Sequence, residues 1–184
     1  LNALGAMTMA MSLGVEAKVA LESLASFRGV ERRFDLRGTS QGVTFVDDYA
    51  HLPREIEVVL RGARDLSDDW KRVVAVFQPN RYNRMNTMSP AYKDAFVRAD
   101  LVVVTEIYAS GTTPIPGVTG KLVVDAIRAA HPTTKVEWIA DRGDLVTYLA
   151  GELRDGDLCI SMGCGDIESL ARIDSQVVKR RRIM

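Results

Sequence analysis

Residues 46–56 read Val46-Asp47-Asp48-Tyr49-Ala50-His51-Leu52-Pro53-Arg54-Glu55-Ile56. An apolar run from Gly42 to Val46 breaks here into two carboxylates, a tyrosine and one of the chain's two histidines, and a proline then opens a helical pattern. That is the profile of a strand ending where a helix begins. In open α/β sheets this edge is where ligands sit, because loops at the strands' carboxyl ends meet helix N-termini there.

Upstream of the turn, residues 34–37 alternate, pass through Gly38-Thr39-Ser40-Gln41-Gly42 and return at 43–46, which predicts a β-hairpin with a five-residue loop. Downstream, Ile56, Val59, Leu60, Ala63 and Leu66 mark one apolar helix face, with Glu57, Arg61 and Asp65 spaced for pairing outside it. Apolar runs then recur at 72–77, 101–105, 135–139 and 158–162. Between them lie helical patterns at about 91–99, 118–130 and 144–153, and polar exits at 78–84 and 106–117. A last helix follows residues 163–166. Strand and helix alternate at βαβ lengths, so the expectation is an α/β fold, a Rossmann-like, mostly parallel sheet with one antiparallel edge hairpin and helices on both faces. Ahead of it, residues 1–13 and 17–27 predict two helices, the first ended by Gly14 and the second by Arg28-Gly29, with a linker at 28–33.

The 184 residues, 47% hydrophobic and 26% charged, suit one full domain plus a fragment of another. Their 24 basic and 24 acidic side chains supply no global field for nucleic acid or an acidic membrane, so any polyanion site must be local. Cys159 and Cys164 lie too close together to staple a fold, as expected of a reducing cytoplasm. The apolar start lacks the basic leader of a signal peptide and the length of a membrane span. Because position 1 is leucine, the chain reads as a piece of a longer protein that begins inside a helix. The Lys179-Arg180-Arg181-Arg182 end reads as a solvated tail.

Several side chains are candidates for chemistry. A carboxylate after the strand, Asp47 or Asp48, can accept the hydroxyls of a ribose, while Tyr49 and His51 can orient a polar substrate; the competing role is capping of the helix that follows. Arg81 and Arg84, three apart, can fork onto a carboxylate or phosphate, or be ordinary surface arginines. Met162-Gly163-Cys164-Gly165-Asp166 suits a tight strand-to-helix turn; a dinucleotide fingerprint would need glycine where Glu168 stands. Gly117-Val118-Thr119-Gly120-Lys121-Leu122 lacks the pattern of a phosphate-binding loop. His131 reads as a helix C-cap, and no metal-ligand cluster is evident.

Taken together, the segments 27–34, 47–56, 77–84, 114–120 and 162–167, in that order, resemble the carboxy-terminal part of the Mur ligases, over residues 1 to about 171. The resemblance implies that residues 1–29 close the family's central ATPase domain, whose phosphate loop and Mg2+ ligands would precede residue 1, and that residues 30–184 form the amino-acid-binding domain. It further implies a cytoplasmic, ATP-dependent ligase of peptidoglycan synthesis that adds L-alanine to UDP-N-acetylmuramate through an acyl phosphate; the fragment alone would be inactive. By motif, Asn2 would touch adenine, Arg33 the phosphate side and Asp48 the ribose of ATP. Tyr49, His51, Arg81 and Arg84 would hold the amino acid, and no residue here would be the sole chemical catalyst. The chain departs from the family pattern at Leu52, Arg54, Asn80, Asn83, Met85, Ser110, Thr112 and Cys164. Alternatives are a ligase of the same family that recycles murein peptide, or a non-catalytic module binding a small anion or nucleotide.

Overall fold

A computed structural model describes residues 2–27, 29–66 and 70–170. The chain divides into two compact units, Leu1–Glu31 and Arg32–Met184.

The first unit is a pair of helices, α1 (Asn2–Ser12) and α2 (Ala17–Ser26). Gly14 ends α1 at φ +88, and the bonds Val15 N–H to Ala10 O and Gly14 N–H to Met11 O complete a Schellman cap. On α2 only Ala20 is buried, whereas Leu21 and Phe27, predicted on the same apolar face, are exposed. Two helices meet along one narrow seam.

The second unit holds a six-stranded sheet in the order β1-β2-β6-β3-β4-β5. Its strands are β1 (Asp35–Ser40), β2 (Val43–Asp48), β3 (Arg72–Phe77), β4 (Leu101–Val104), β5 (Val136–Trp138) and β6 (Asp157–Met162). β1 runs antiparallel to β2 and every other pairing is parallel. The expected mostly parallel sheet with one antiparallel edge hairpin is therefore present. Its central strands are continuous apolar runs because both faces are covered. Val73, Ala75, Phe77, Val102, Val104, Leu158 and Ile160 point to one core, closed by α3 (Pro53–Leu66) and α5 (Lys121–Ala130). Val74, Val76, Leu101, Val103 and Cys159 point to the other, closed by α6 (Arg142–Glu152) and by Ile167 and Leu170.

Three local expectations are corrected. The hairpin loop is two residues, not five: β1 continues to Ser40 through an irregularity at Gly38, and Gln41 (φ 48) and Gly42 (φ 75) make a turn whose positive φ angles match the twist of the strands. A helix, α4 (Tyr82–Met88), begins inside the segment read as loop, while the pattern at 91–99 forms a 3-10 turn (Ser89–Tyr92) and further turns. There the i to i+3 bonds Ala95 N–H to Tyr92 O and Ala99 N–H to Phe96 O still bring Tyr92 and Phe96 onto Phe77. On α3, Leu66 is exposed at the helix end and Glu57 pairs with Arg54 rather than Arg61. After β6 the chain makes a 3-10 turn (Asp166–Ser169), and the rest of the expected last helix and the basic tail lie outside the described residues.

The strand order creates the site. β5 returns through α6 to place β6 between β2 and β3. The chain leaves β2 and β3 toward the core that holds Ile56 and Met85, but leaves β6 toward the core that holds Ile167. Divergent exits open a crevice at the carboxyl ends of these three strands, the place where such sheets bind ligands.

Candidate functional site

The floor of the crevice is made by β2. Asp47 is fully buried and accepts from Arg32 Nε at 2.9 Å and from Ser161 Oγ at 2.9 Å. Arg32 also bridges to Glu168 at 3.2 Å and donates to the Gly163 carbonyl at 2.6 Å, so it ties the start of the unit to the ends of β2 and β6. Asp48 spends each oxygen on a backbone amide, Oδ2 on Phe34 and Oδ1 on Ala50, both at 2.7 Å. Burial raises its carboxyl above the ordinary value against the pull of those amides and of Arg33. Of the two carboxylates the sequence offered to a ribose, Asp47 is committed to the clamp, and Asp48 shapes the turn.

Next to this floor stands an aromatic and cationic group. The Arg32 and Arg33 guanidinium carbons lie 5.0 and 5.6 Å from the centroid of the Tyr49 ring, and the His51 ring meets it edge-on at 5.6 Å. Arg33 is exposed. His51 Nδ1 lies 3.0 Å from the Tyr49 carbonyl, and a proton on Nδ1 there leaves Nε2 as the acceptor. Glu55 fixes the backbone below: its Oε2 accepts from the His51 amide at 2.9 Å and the Leu52 amide at 3.1 Å, the reciprocal half of a capping box with Pro53 at the first helical position. Burial pushes the Glu55 carboxyl up, but those two amides with the charges of His51 and Arg33 outweigh it, and it lies below its ordinary value. The buried Tyr92 hydroxyl donates to the His51 carbonyl at 2.7 Å.

The wall comes from the exit of β3, zipped to the loop after β4. Tyr108 N–H donates to Pro79 O and Arg81 N–H to Tyr108 O, each at 2.9 Å. Thr112 Oγ1 caps α4 by accepting the Tyr82 amide at 3.0 Å. Arg81, at φ 65 just before α4, is exposed; Arg84 sits one turn in, its Nη1 donating to Asn80 Oδ1 at 3.0 Å. The far side of the same loop is locked by Glu106, whose Oε1 takes the amides of Ile107 and Gly120. A side chain at Gly120 would run into the Thr105 carbonyl, and the helix expected from 118 starts at Lys121.

The turn after β6 closes the crevice. Gly163 N–H donates to Asp48 O at 3.2 Å, and Gln78 holds the turn through Asp166 at 2.7 Å and the Ile167 amide. At Gly163 the chain takes φ 150, and a side chain at Gly165 would strike Gln78 and Tyr108. Burial pushes the Cys164 thiol above its ordinary value while Arg84, Arg32 and Arg81 pull the other way.

Tyr49 and His51 thus follow β2 and Arg81 and Arg84 follow β3, on either side of β6 at the same edge of the sheet, with Arg33 beside Tyr49 and Asp48 at the end of β2. Asn2 lies exposed on α1 of the first unit. Arg32 is ion-paired with Asp47 and Glu168, whereas Arg33, Arg81 and Arg84 form no carboxylate ion pair among the described residues. Sequence reasoning gave no role to Arg32, Glu55, Tyr92 or Thr112. Only Glu55 carried a local signal, a glutamate three residues after the helix cap. His131 is the C-cap of α5, and its ring meets Asp94 at 2.8 Å, away from this site. Among the described residues no group of three His, Cys, Asp or Glu could hold a metal ion, and no helix is long and apolar enough to cross a membrane.

A crevice edged by arginines at the switch point of a mostly parallel sheet is the place where α/β domains of this kind bind ligands. The profile of the family described as "Mur ligase, glutamate ligase domain" matches residues 32–165, and the chain belongs to the Mur ligase family. It is 44% identical over 168 residues to the UDP-N-acetylmuramate–L-alanine ligase of Anaeromyxobacter sp. (strain Fw109-5), covering 91% of this chain and 36% of the relative. With the enzyme of the same name from Rubrobacter xylanophilus it shares 44% over 178 residues, 94% of this chain and 40% of the relative. Among solved structures, the UDP-N-acetylmuramate–alanine ligase of Thermotoga maritima matches with a TM-score of 0.77 at 28% identity, over 98% of this chain and 37% of that one. The murein peptide ligase of Psychrobacter arcticus shares the fold at a TM-score of 0.70 and 24% identity, over 100% of this chain and 36% of that one. The chain thus spans 36 to 40% of the length of these curated relatives.

Proposed function

We propose that this chain is the carboxy-terminal part of an ATP-dependent ligase that joins L-alanine to UDP-N-acetylmuramate through an acyl phosphate, in cytoplasmic peptidoglycan synthesis. In this reading residues 1–29 close the central ATPase domain and residues 30–184 form the amino-acid-binding domain. The observation that supports it is the placement of Tyr49 and His51 after β2 and of Arg81 and Arg84 after β3, the two strands that flank β6, in a chain 44% identical to such ligases.

Each side chain has a task within that reading. Arg84 and Arg81 bind the alanine carboxylate, for which the planar guanidinium is the matching donor. His51, its Nδ1 engaged with the Tyr49 carbonyl, presents Nε2 to the amino group and orients it toward the acyl carbon. Arg33 faces the phosphates of ATP, Asp48 approaches the ribose with the lone pairs its two amides leave, and Asn2 meets the adenine. In this reading Mg2+ is held by the rest of the ligase, and no step here passes through it. Binding and orientation are what this part contributes, which leaves phosphoryl transfer to the remainder of the protein.

The test is phosphate release by the complete protein supplied with UDP-N-acetylmuramate, ATP and single amino acids. Release that depends on L-alanine is expected, and Arg81→Ala should raise the alanine KM at least about tenfold while the ATP KM stays nearly constant. No alanine-dependent release from a folded protein overturns the assignment, and release with a murein peptide in place of alanine reassigns it to recycling.

A further inference from the structure

We infer that Asn80 is a positioning residue of the amino-acid site, one that immobilises the Arg84 guanidinium without neutralising it. The inference rests on the ligase reading and concerns how its carboxylate-binding arginine is prepared. Asn80 is 2% exposed, just beyond β3, and its backbone is bridged to Tyr108, so the direction of its side chain is set by the sheet edge. Oδ1 accepts from Arg84 Nη1 at 3.0 Å, one helical turn further along the chain.

The chemistry of that acceptor separates Arg84 from the arginines that carboxylates hold. Arg32 is held by Asp47 and Glu168, Arg54 by Glu57, Arg64 by Asp100, and Arg72 by Glu152 and Asp157. Each of those guanidiniums meets a carboxylate and offers a ligand little net charge. Arg84 is instead held by a neutral amide, which orients the fork and leaves its full charge for an incoming carboxylate.

A second observation argues that the amide is kept for this and not for packing. Asn80 Nδ2 is buried with no hydrogen-bond partner among the described residues. A buried donor without a partner is unfavourable, and an apolar side chain of the same size would remove that cost. The fold retains the orphan because the other half of the amide has work to do. Asn80 orients Arg84 and does not itself touch the reacting atoms.

Two variants of the complete ligase test the inference, with KM for alanine and for ATP measured separately and the thermal midpoint as the control for folding. Wild-type, alanine-dependent phosphate release first tests the ligase reading on its own. Asn80→Asp keeps shape and acceptor but adds a charge, so the alanine KM should rise at least about tenfold with the ATP KM within about twofold. Asn80→Leu removes both the acceptor and the orphan donor, so the alanine KM should rise while the thermal midpoint holds or increases. In an active wild-type background, an unchanged alanine KM in either folded variant overturns the inference, as does a parallel rise in both KM values. If Asn80→Asp fails to fold, Asn80→Leu decides alone.

Discussion

Tyr92 reaches across 41 residues to donate its hydroxyl proton to the His51 carbonyl at 2.7 Å. The contact joins the 3-10 turn after α4 to the first residues before α3, and it holds the backbone of a candidate substrate ligand from beneath. Burial first, with the negative charge of Glu55, raises the Tyr92 phenol to about 12, so it remains a donor through the physiological range. Tyr92→Phe is expected to cost about 1 kcal/mol in urea unfolding. A folded value above the ordinary 10.0 means that this stability is fully present below pH 10.0 and lost as pH rises through about 12. The variant should lack that alkaline loss.

Glu55 makes the opposite prediction at the acid end. Its folded value lies below the ordinary 4.5, so its stabilisation is present above that value and lost as pH falls through the folded one. Glu55→Ala should lower stability by about 1 kcal/mol at neutral pH. Urea midpoints followed from about pH 6 down to about pH 3 should fall less steeply in the variant than in the wild type.

Arg32 is a test of clamp against ligand. Its loss would leave the fully buried Asp47 with Ser161 and a more distant Arg37. Arg32→Ala is expected to destabilise the chain by about 3 kcal/mol in chemical denaturation, because a buried charge loses its nearest partner. A loss under about 0.5 kcal/mol would show that Asp47 is satisfied without it.

Tyr49 offers two handles, a ring beside Arg33 and a hydroxyl. In the complete ligase Tyr49→Leu should raise the ATP KM about threefold by releasing Arg33, the equivalent of about 0.5–1 kcal/mol of cation–π attraction. Tyr49→Phe keeps the ring and should leave the ATP KM unchanged while the alanine KM rises. Steady-state kinetics with each substrate varied in turn separates the two; equal effects of both variants on ATP would exclude the ring as the cause.

The turn at 46–56 carried its meaning in local chemistry: an apolar run ending in Asp47-Asp48, then Pro53 and a helical apolar face. Gly14 was readable as a helix end for the same reason, because a Schellman cap needs a residue that accepts positive φ. The hairpin loop was misjudged because Gly38-Thr39-Ser40 looks like turn chemistry, although Thr39 and Ser40 pair with Thr44 and Val43. The segment 78–84 reads as a polar exit in sequence, yet α4 starts within it at Tyr82. The cap, Thr112, comes from thirty residues further along.

Local pattern alone determined that this chain would form alternating strands and helices with a polar edge, since the period of apolar residues reports the burial of one element at a time. It also exposed Tyr49, His51, Arg81 and Arg84 as candidates. Only the tertiary structure decided that β6 lies between β2 and β3, that Arg32 is consumed by Asp47, that Tyr92 supports His51, and that a neutral Asn80 holds Arg84. Strand order and most of these contacts join residues far apart in the chain, and even the short step from Asn80 to Arg84 depends on a sheet edge pinned by Tyr108. Such pairings follow from how two covered faces of one sheet pack, which no local periodicity records.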